Sequence, residues 1–242
     1  MSNLSTVVNV VLGQCDFRNN PYFAALADGI FEKSDFIETQ IQFYFAVQFF
    51  NRPMAALAAK IPDPQLRINV IRNLWEEHGE GDVERVHGAT FLELLHRLDG
   101  LKSEDILRRS LWPEVRAFNT VLIGTCVIDE YMTGVGMMGV IERMFAEISA
   151  LMGQGIIKCG WLPLDRIVHY TLHADLDIQH SQDFFDIVEK PWAHSAEDRY
   201  AIEQGIRLGA YIFNRLYEDL FRNRSRRLDR VTAGPHSRAA GQ

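Results

Sequence analysis

A chain of 242 residues with 47% hydrophobic and 24% charged side chains has material for one sizeable core and no compositional mark of disorder. Its net charge of −7 argues against nucleic acid as a partner, no apolar run approaches the roughly 18 residues of a membrane span, and three scattered cysteines (Cys15, Cys126, Cys159) argue against a disulfide framework. The opening MSNLSTVVNVVLGQ lacks the basic stretch and cleavage site of a signal peptide, which predicts a cytoplasmic protein.

Asn20-Pro21 offers an N-cap followed by proline at the first helical position and predicts a short helix ending near Gly29. Ser34-Asp35 then starts FIETQIQFYFAVQFF, apolar on nearly every side, so this helix is central. Pro53 interrupts or ends it, and Asp63-Pro64 opens the next segment. Residues 66–98 hold a helical period for most of their length, weakened in the middle by Gly79 and Gly81. Ser103-Glu104-Asp105 caps a short helix; Trp112-Pro113 precedes a long apolar one running to about Met152, and residues 153–160 form a loop. A further helix runs from Leu164 to about Val188, and Ser195-Ala196-Glu197-Asp198 caps a last amphipathic helix to about Phe221. With no strand pattern and no internal repeat, the reading is all-α with about seven helices. It makes residues 1–222 one helical domain and residues 223–242 an Arg-rich tail, solvated and frayed.

In the penultimate helix His173, Asp177 and His180 fall at i, i+4 and i+7, within roughly 60° of one another at about 100° per residue. Two imidazoles and a carboxylate suit a borderline divalent metal such as iron. Glu77, Glu80 and Glu84 lie 10, 7 and 3 residues before His87, so on an unbroken helix three carboxylates share a stripe with an imidazole. Glu80 is the best aligned, about 20° from His87. Like charges stacked in this way repel. A metal would relieve that, and so would a solvated acidic face or pairing with Arg72 and Arg85. Glu142 sits in VLIGTCVIDEYMTGVGMMGVIERMFAEI, apolar enough that one side is buried. It either reaches the surface near Arg143 or points at a metal, because a lone buried carboxylate is costly. Glu84-x-x-His87 and Asp177-x-x-His180 are then two carboxylate-x-x-histidine motifs on separate helices, with another Glu on a third, close to the ligand pattern of di-iron carboxylate bundles.

These motifs run from Asn73-Leu74-x-x-Glu77-x-Gly79-Glu80-Gly81 into His87, through Glu142 55 residues later, to His173-x-x-x-Asp177-x-x-His180. In order and spacing the chain resembles, over most of its length, the haem-oxygenase-like di-iron oxidases and oxygenases, relatives of pyrroloquinoline-quinone synthase, thiaminase II and the chlamydial 4-aminobenzoate synthase. The resemblance implies a seven-helix haem-oxygenase-like bundle. It implies two Fe(II) ions held by a carboxylate of the first stripe (Glu80, Glu84 or Glu77) with His87, Glu142, His173, Asp177 and His180. Dioxygen as co-substrate, an external reductant, and biosynthetic oxidation of a small metabolite such as an amino acid, amine or carboxylic acid follow from it. A homodimer and a redox partner are compatible with it; a role at nucleic acid or membrane is not expected. Some relatives add a glutamate from the preceding central helix; here that position falls near Asn51, and the only acid within that helix is Glu38, near its start.

Tyr44 and Val47 share the helical face of Asn51, and with Tyr131, Met137 and Met138 they are candidates for a substrate pocket or plain core. A thiaminase-like hydrolase would need a nucleophilic cysteine. Cys126, 16 residues before Glu142 on what reads as the same helix, is turned about 160° away and suits a small core hydrophobe. A metal-independent quinone-synthase-like oxidase would not require this ligand register, and a non-catalytic iron-binding or regulatory protein is the reading from another class. His78, His96, His169, His194 and His236 fall outside the stripes or in loops and tails, and are read as solvent-facing or structural.

Overall fold

The computed structural model describes residues 3–230, apart from the side chains of Val168, Ala174 and Asp175. Among the described residues there is no sheet. Seven helices of 13 residues or more carry the bundle: α3 (Lys33–Lys60), α4 (Pro64–Glu77), α5 (His87–Asp99), α7 (Pro113–Ile128), α8 (Tyr131–Lys158), α9 (Val168–His194) and α10 (Ala196–Arg222). Three shorter ones join them: α1 (Leu4–Cys15) packs on α10 and α9, α2 (Pro21–Asp28) on α8 and α10, and α6 (Ser103–Leu107) follows α5. No described helix is long and apolar enough to cross a membrane.

The punctuation follows local chemistry. The Asn20 side chain accepts the Tyr22 N–H ahead of Pro21, and Gly29, at φ 71°, ends α2 in the left-handed conformation. Asp63 caps α4 on the Gln65 N–H, and Ser195 caps α10 on the Asp198 N–H. Helix α3 is buried on every side from Phe36 to Tyr44, and the glutamines of that stretch are paired inside. Gln40 Nε2 donates to the Tyr22 hydroxyl at 2.7 Å while its Oε1 accepts from Tyr170, and Gln42 Oε1 accepts the Trp112 N–H at 2.9 Å. Helix α8 lies at the centre, against α9 and α10. A Cβ on Gly205 would fall onto the Thr133 carbonyl and one on Gly209 would come 2.7 Å from that of Met137, so glycine is what lets α10 approach α8 so closely.

Four boundaries differ from the sequence reading. Pro53 neither ends nor divides α3, which runs on to Lys60. The long apolar helix is two, because Asp129 and Glu130 are extended and the Lys60 ammonium takes up the terminal carbonyls of Val127 and Asp129, closing the end of α7. Residues 153–158 continue α8 instead of forming a loop: Gly155 sits where a Cβ would come within 3.0 Å of Leu26, so it serves packing on α2. Residues 66–98 break after Glu77. Gly79, Glu80 and Gly81 have φ of 63°, 56° and 91°, and a short turn over Val83–Arg85 leads into α5. A Cβ on Gly79 would lie 2.7 Å from the Arg85 carbonyl carbon, so glycine lets this loop fold onto itself and brings the end of α4 to the start of α5.

After α10 the chain does not fray at once. Residues 223–230 stay on the bundle, with Arg226 paired to Glu114 at 2.8 Å, Arg227 to Asp35 at 2.9 Å and the Arg230 N–H bonded to the Arg108 carbonyl at 2.7 Å. The solvated tail expected from residue 223 is replaced over this stretch by a docked segment, because its arginines meet acids of α3 and α7. Residues 231–242 lie outside the described residues.

Candidate metal centre

Helices α4, α5, α8 and α9 converge on one buried group of acids and imidazoles. Glu142, Asp177 and His180 each offer a ligand atom, all within 4.8 Å of one another, close to the spread that bonds of about 2 Å to a shared ion permit. His180 Nε2 lies 2.7 Å from Glu76 Oε2, a carboxylate that holds the ring and leaves Nδ1 turned toward Asp177 Oδ1, 3.6 Å away. His173 Nδ1 is 3.0 Å from Asp177 Oδ1. The His87 and His173 rings stand edge to face with centroids 4.5 Å apart, and His87 Nδ1 lies 2.8 Å from Glu77 Oε1 without hydrogen-bond alignment. Asn73 Nδ2 donates to Glu142 Oε1 at 3.2 Å.

The electrostatics are unusual for a core. Glu77, Glu142 and Asp177 are all buried, yet among the described residues none pairs with a lysine or arginine. Burial, and then the charge of Asp177, hold the Glu142 carboxyl well above the ordinary range. Burial opposes a charged His180, but Asp177, Glu142 and Glu76 overcome it and push its pKa up to about 10. His173 is raised likewise against burial by Asp177, and Asp177 is lowered against burial by His173 and His180. Three nitrogen atoms, His87 Nδ1, His173 Nε2 and His180 Nδ1, are buried without a hydrogen-bond partner among the described residues, as is Asn73 Oδ1. Buried carboxylates whose partners among the described residues are imidazoles and an amide, beside imidazole nitrogens without hydrogen-bond partners, are what a divalent transition metal would satisfy by replacing the protons held there, and nitrogen with carboxylate oxygen is a donor set that suits iron.

The structure therefore brings together His87, Glu142, His173, Asp177 and His180 from the sequence-predicted set. It does not bring Glu80 or Glu84, because the break at Gly79 ends the helical stripe on which they were counted. Glu80 is exposed and 3.6 Å from Arg85, and Glu84 is exposed on the following turn. Glu77, the last residue of α4, is the carboxylate of that segment that reaches the cluster. Asn51 is half-buried with Nδ2 3.5 Å from His78 Nε2, and Glu38 is paired to Arg109 and Arg227, so α3 adds no acid to the cluster.

A small cavity of about 40 Å³ lies on the Glu77, His87, Glu142 and His173 side, and apart from His169 its remaining wall is apolar, with Phe43, Phe50, Phe118, Phe145 and Phe213 among its residues. Of the pocket candidates Val47 lines it. Tyr44, whose hydroxyl accepts from Gln48, and Tyr131, Met137 and Met138 do not; Tyr131 lies 11 residues before Glu142, about 16 Å along α8 at 1.5 Å per residue. Cys126 is on α7, not α8. It is packed in the core off the cavity, with burial pushing its thiol up to about 12, so it is no nucleophile for this pocket.

Sequence reasoning passed over two residues. Glu76 faces His180, one position from a residue already singled out. His169, read as structural or solvent-facing, is fully buried, lines the cavity and lies with its ring centroid 4.4 Å from that of His173. Its spacing of four before His173 was the available signal. His78, His96 and His194 are exposed, each with Nδ1 near a backbone carbonyl, and His236 lies outside the described residues.

The sequence profile of a family described as iron-containing redox enzymes matches residues 38–213, a stretch that includes every residue of the cluster. No curated protein matches the chain by sequence. Among solved structures, a domain of unknown function with a haem-oxygenase-like fold from Shewanella denitrificans OS217 superposes with a TM-score of 0.78 at 15% identity, covering 93% of this chain and 94% of that one. A TenA homologue from P. horikoshii OT3 does so at 0.71 and 15%, covering 91% and 99%, and a TenA family transcription regulator from Silicibacter sp. TM1040 at 0.67 and 11%, covering 88% and 96%. At such identities these likenesses establish a haem-oxygenase-like fold and nothing about activity.

Proposed function

The chain belongs to the family of iron-containing redox enzymes, and on that premise we propose that it is a non-haem di-iron oxidase or oxygenase that uses dioxygen and an external reductant to oxidise a small metabolite. Glu77, His87, Glu142, His173, Asp177 and His180 would hold two Fe(II) ions. Bound iron would supply the electrons and open coordination positions that reaction with dioxygen requires.

The observation that carries this reading is the donor set: three buried carboxylates grouped with imidazoles and, among the described residues, paired with no guanidinium or ammonium. The chain's own residues divide the remaining work. Asn73 donates to Glu142 and fixes which oxygen faces the cluster. Glu76 accepts from His180 Nε2, setting the tautomer that leaves Nδ1 as the lone-pair nitrogen. The phenylalanines of the cavity wall exclude water and offer an apolar seat beside the polar cluster.

Anaerobic titration with Fe(II) tests this directly. Close to two irons per chain, followed by oxygen consumption that a chelator abolishes and that turns over many times on a small molecule, is the expected result. Less than one iron per chain, or undiminished turnover after complete chelation, would overturn it. A single turnover that consumes a tyrosine of the chain would point instead to a non-catalytic or sacrificial role.

A further inference from the structure

Helix α3 presents one apolar stripe to the small cavity beside the metal cluster. Phe43, Ala46, Val47 and Phe50 follow the i, i+3, i+4 and i+7 spacing of a single helical face, and all four line that cavity. Helix α3 adds no polar residue to the wall, and Phe118, Phe145 and Phe213, from α7, α8 and α10, extend its apolar part. The cavity's size limits its occupant. A buried water needs roughly 10–15 Å³ of such space, so about 40 Å³ admits a body of two or three small atoms and no ring.

The wall limits the occupant further, because a water held there would need two to four polar partners. Once Glu77, His87, Glu142 and His173 face a metal, His169 is the one polar side chain of the wall left to supply them. Protein interiors leave few voids, since unfilled space forfeits dispersion contacts. This one adjoins four of the candidate ligands. We propose that the cavity is a dioxygen-binding site, an apolar seat for the diatomic co-substrate beside the cluster, with Ala46 and Val47 setting its room. Dioxygen is uncharged and carries no hydrogen-bond donor, so an apolar wall holds it in preference to water. This rests on the reading of the chain as an iron enzyme that uses dioxygen.

Xenon, an apolar atom that enters cavities of this kind, is the probe. Crystals grown anaerobically with Fe(II) and pressurised with xenon should show, by anomalous diffraction, xenon in the cavity while iron stays bound. Ala46→Val adds two methyl groups to the α3 stripe. It should exclude xenon, keep its iron, and raise about tenfold the dioxygen concentration at which oxidation of bound Fe(II) reaches half its maximal rate. Val47→Ile, one methylene larger, should act in the same direction more weakly, and it decides the matter should Ala46→Val fail to fold. Ordered water in place of xenon, or no xenon at all in the iron-loaded native protein, would overturn the proposal. So would an unchanged oxygen dependence in a variant that excludes xenon. Xenon in the cavity of a protein that takes up no iron would sink the iron reading and leave the gas site standing.

Discussion

Two buried acidic sites of this molecule are built on opposite terms. At one end of α3, Glu38 is 1% exposed and meets two guanidiniums, Arg109 at 3.1 Å and Arg227 at 3.5 Å; burial raises its pKa and the arginines pull it back. Across the bundle, Glu77, Glu142 and Asp177 are also buried but, among the described residues, pair with imidazoles and an amide and with no guanidinium or ammonium. The first site is an ion pair with permanently charged arginines that ties residues 109 and 227 to the core. The second has imidazoles where the first has guanidiniums, and imidazoles can give up their protons to a metal; that difference separates an acid used for structure from acids arranged for a ligand.

The largest effect that can break this contrast is a reciprocal substitution. Glu142→Ala or His180→Ala should lower iron affinity by about 100-fold or more, beyond the ~10–100-fold typical of losing a supporting partner. Glu38→Gln should leave iron per chain unchanged and reduce stability by about 1–3 kcal/mol, less than a fully enclosed pair would lose because both arginines can regain water. Metal analysis beside denaturant melts reads both, and an iron-free Glu38→Gln or an iron-replete Glu142→Ala would erase the distinction. A smaller effect belongs to Glu76→Gln, which should weaken iron binding about 10–100-fold by loosening the His180 ring.

The pH dependence sharpens the same contrast. His180 in the metal-free protein has its pKa raised from 6.5 to about 10, so its contribution to stability is fully present below pH 6.5 and is lost as the pH climbs to about 10. The raised Glu142 acts in the same sense. Thermal melts of metal-free protein should therefore fall across that interval, and iron should flatten the fall, because the metal replaces the protons that the cluster gives up. A melting temperature independent of pH in the metal-free protein would contradict the charge assignment. Least of all should change in Glu80→Ala and Glu84→Ala, both exposed, which should stay within about 0.5 kcal/mol of the native protein and keep their iron. Glu77→Ala should not.

That last pair shows where the site was legible in the sequence. Helix α9 is continuous through His173, Asp177 and His180, so counting at about 100° per residue puts all three on one face, where the structure has both imidazoles beside Asp177. The same count failed between residues 77 and 87, because three successive residues with positive φ remove the helical period and reset the register at His87. Gly79 and Gly81 announced a weakness, but not that the chain would fold back to set Glu77 beside His87. The all-α bundle was readable from caps and periodicity. The division of α7 from α8 was not, since no glycine or proline marks Asp129-Glu130 and the stabilising contact comes from Lys60, 69 residues away from Asp129. His169 was hidden for a related reason: its environment is made by Thr90 and Phe91 on α5, which only the tertiary packing reveals.

The measurement that bears most directly on the account is anomalous diffraction at the iron edge from crystals grown anaerobically with Fe(II). A peak enclosed by Glu142, Asp177 and His180, with a second beside Glu77, His87 and His173, is the expected result. Density confined to surface acids such as Glu80 and Glu84, with the buried cluster free of metal, would contradict it.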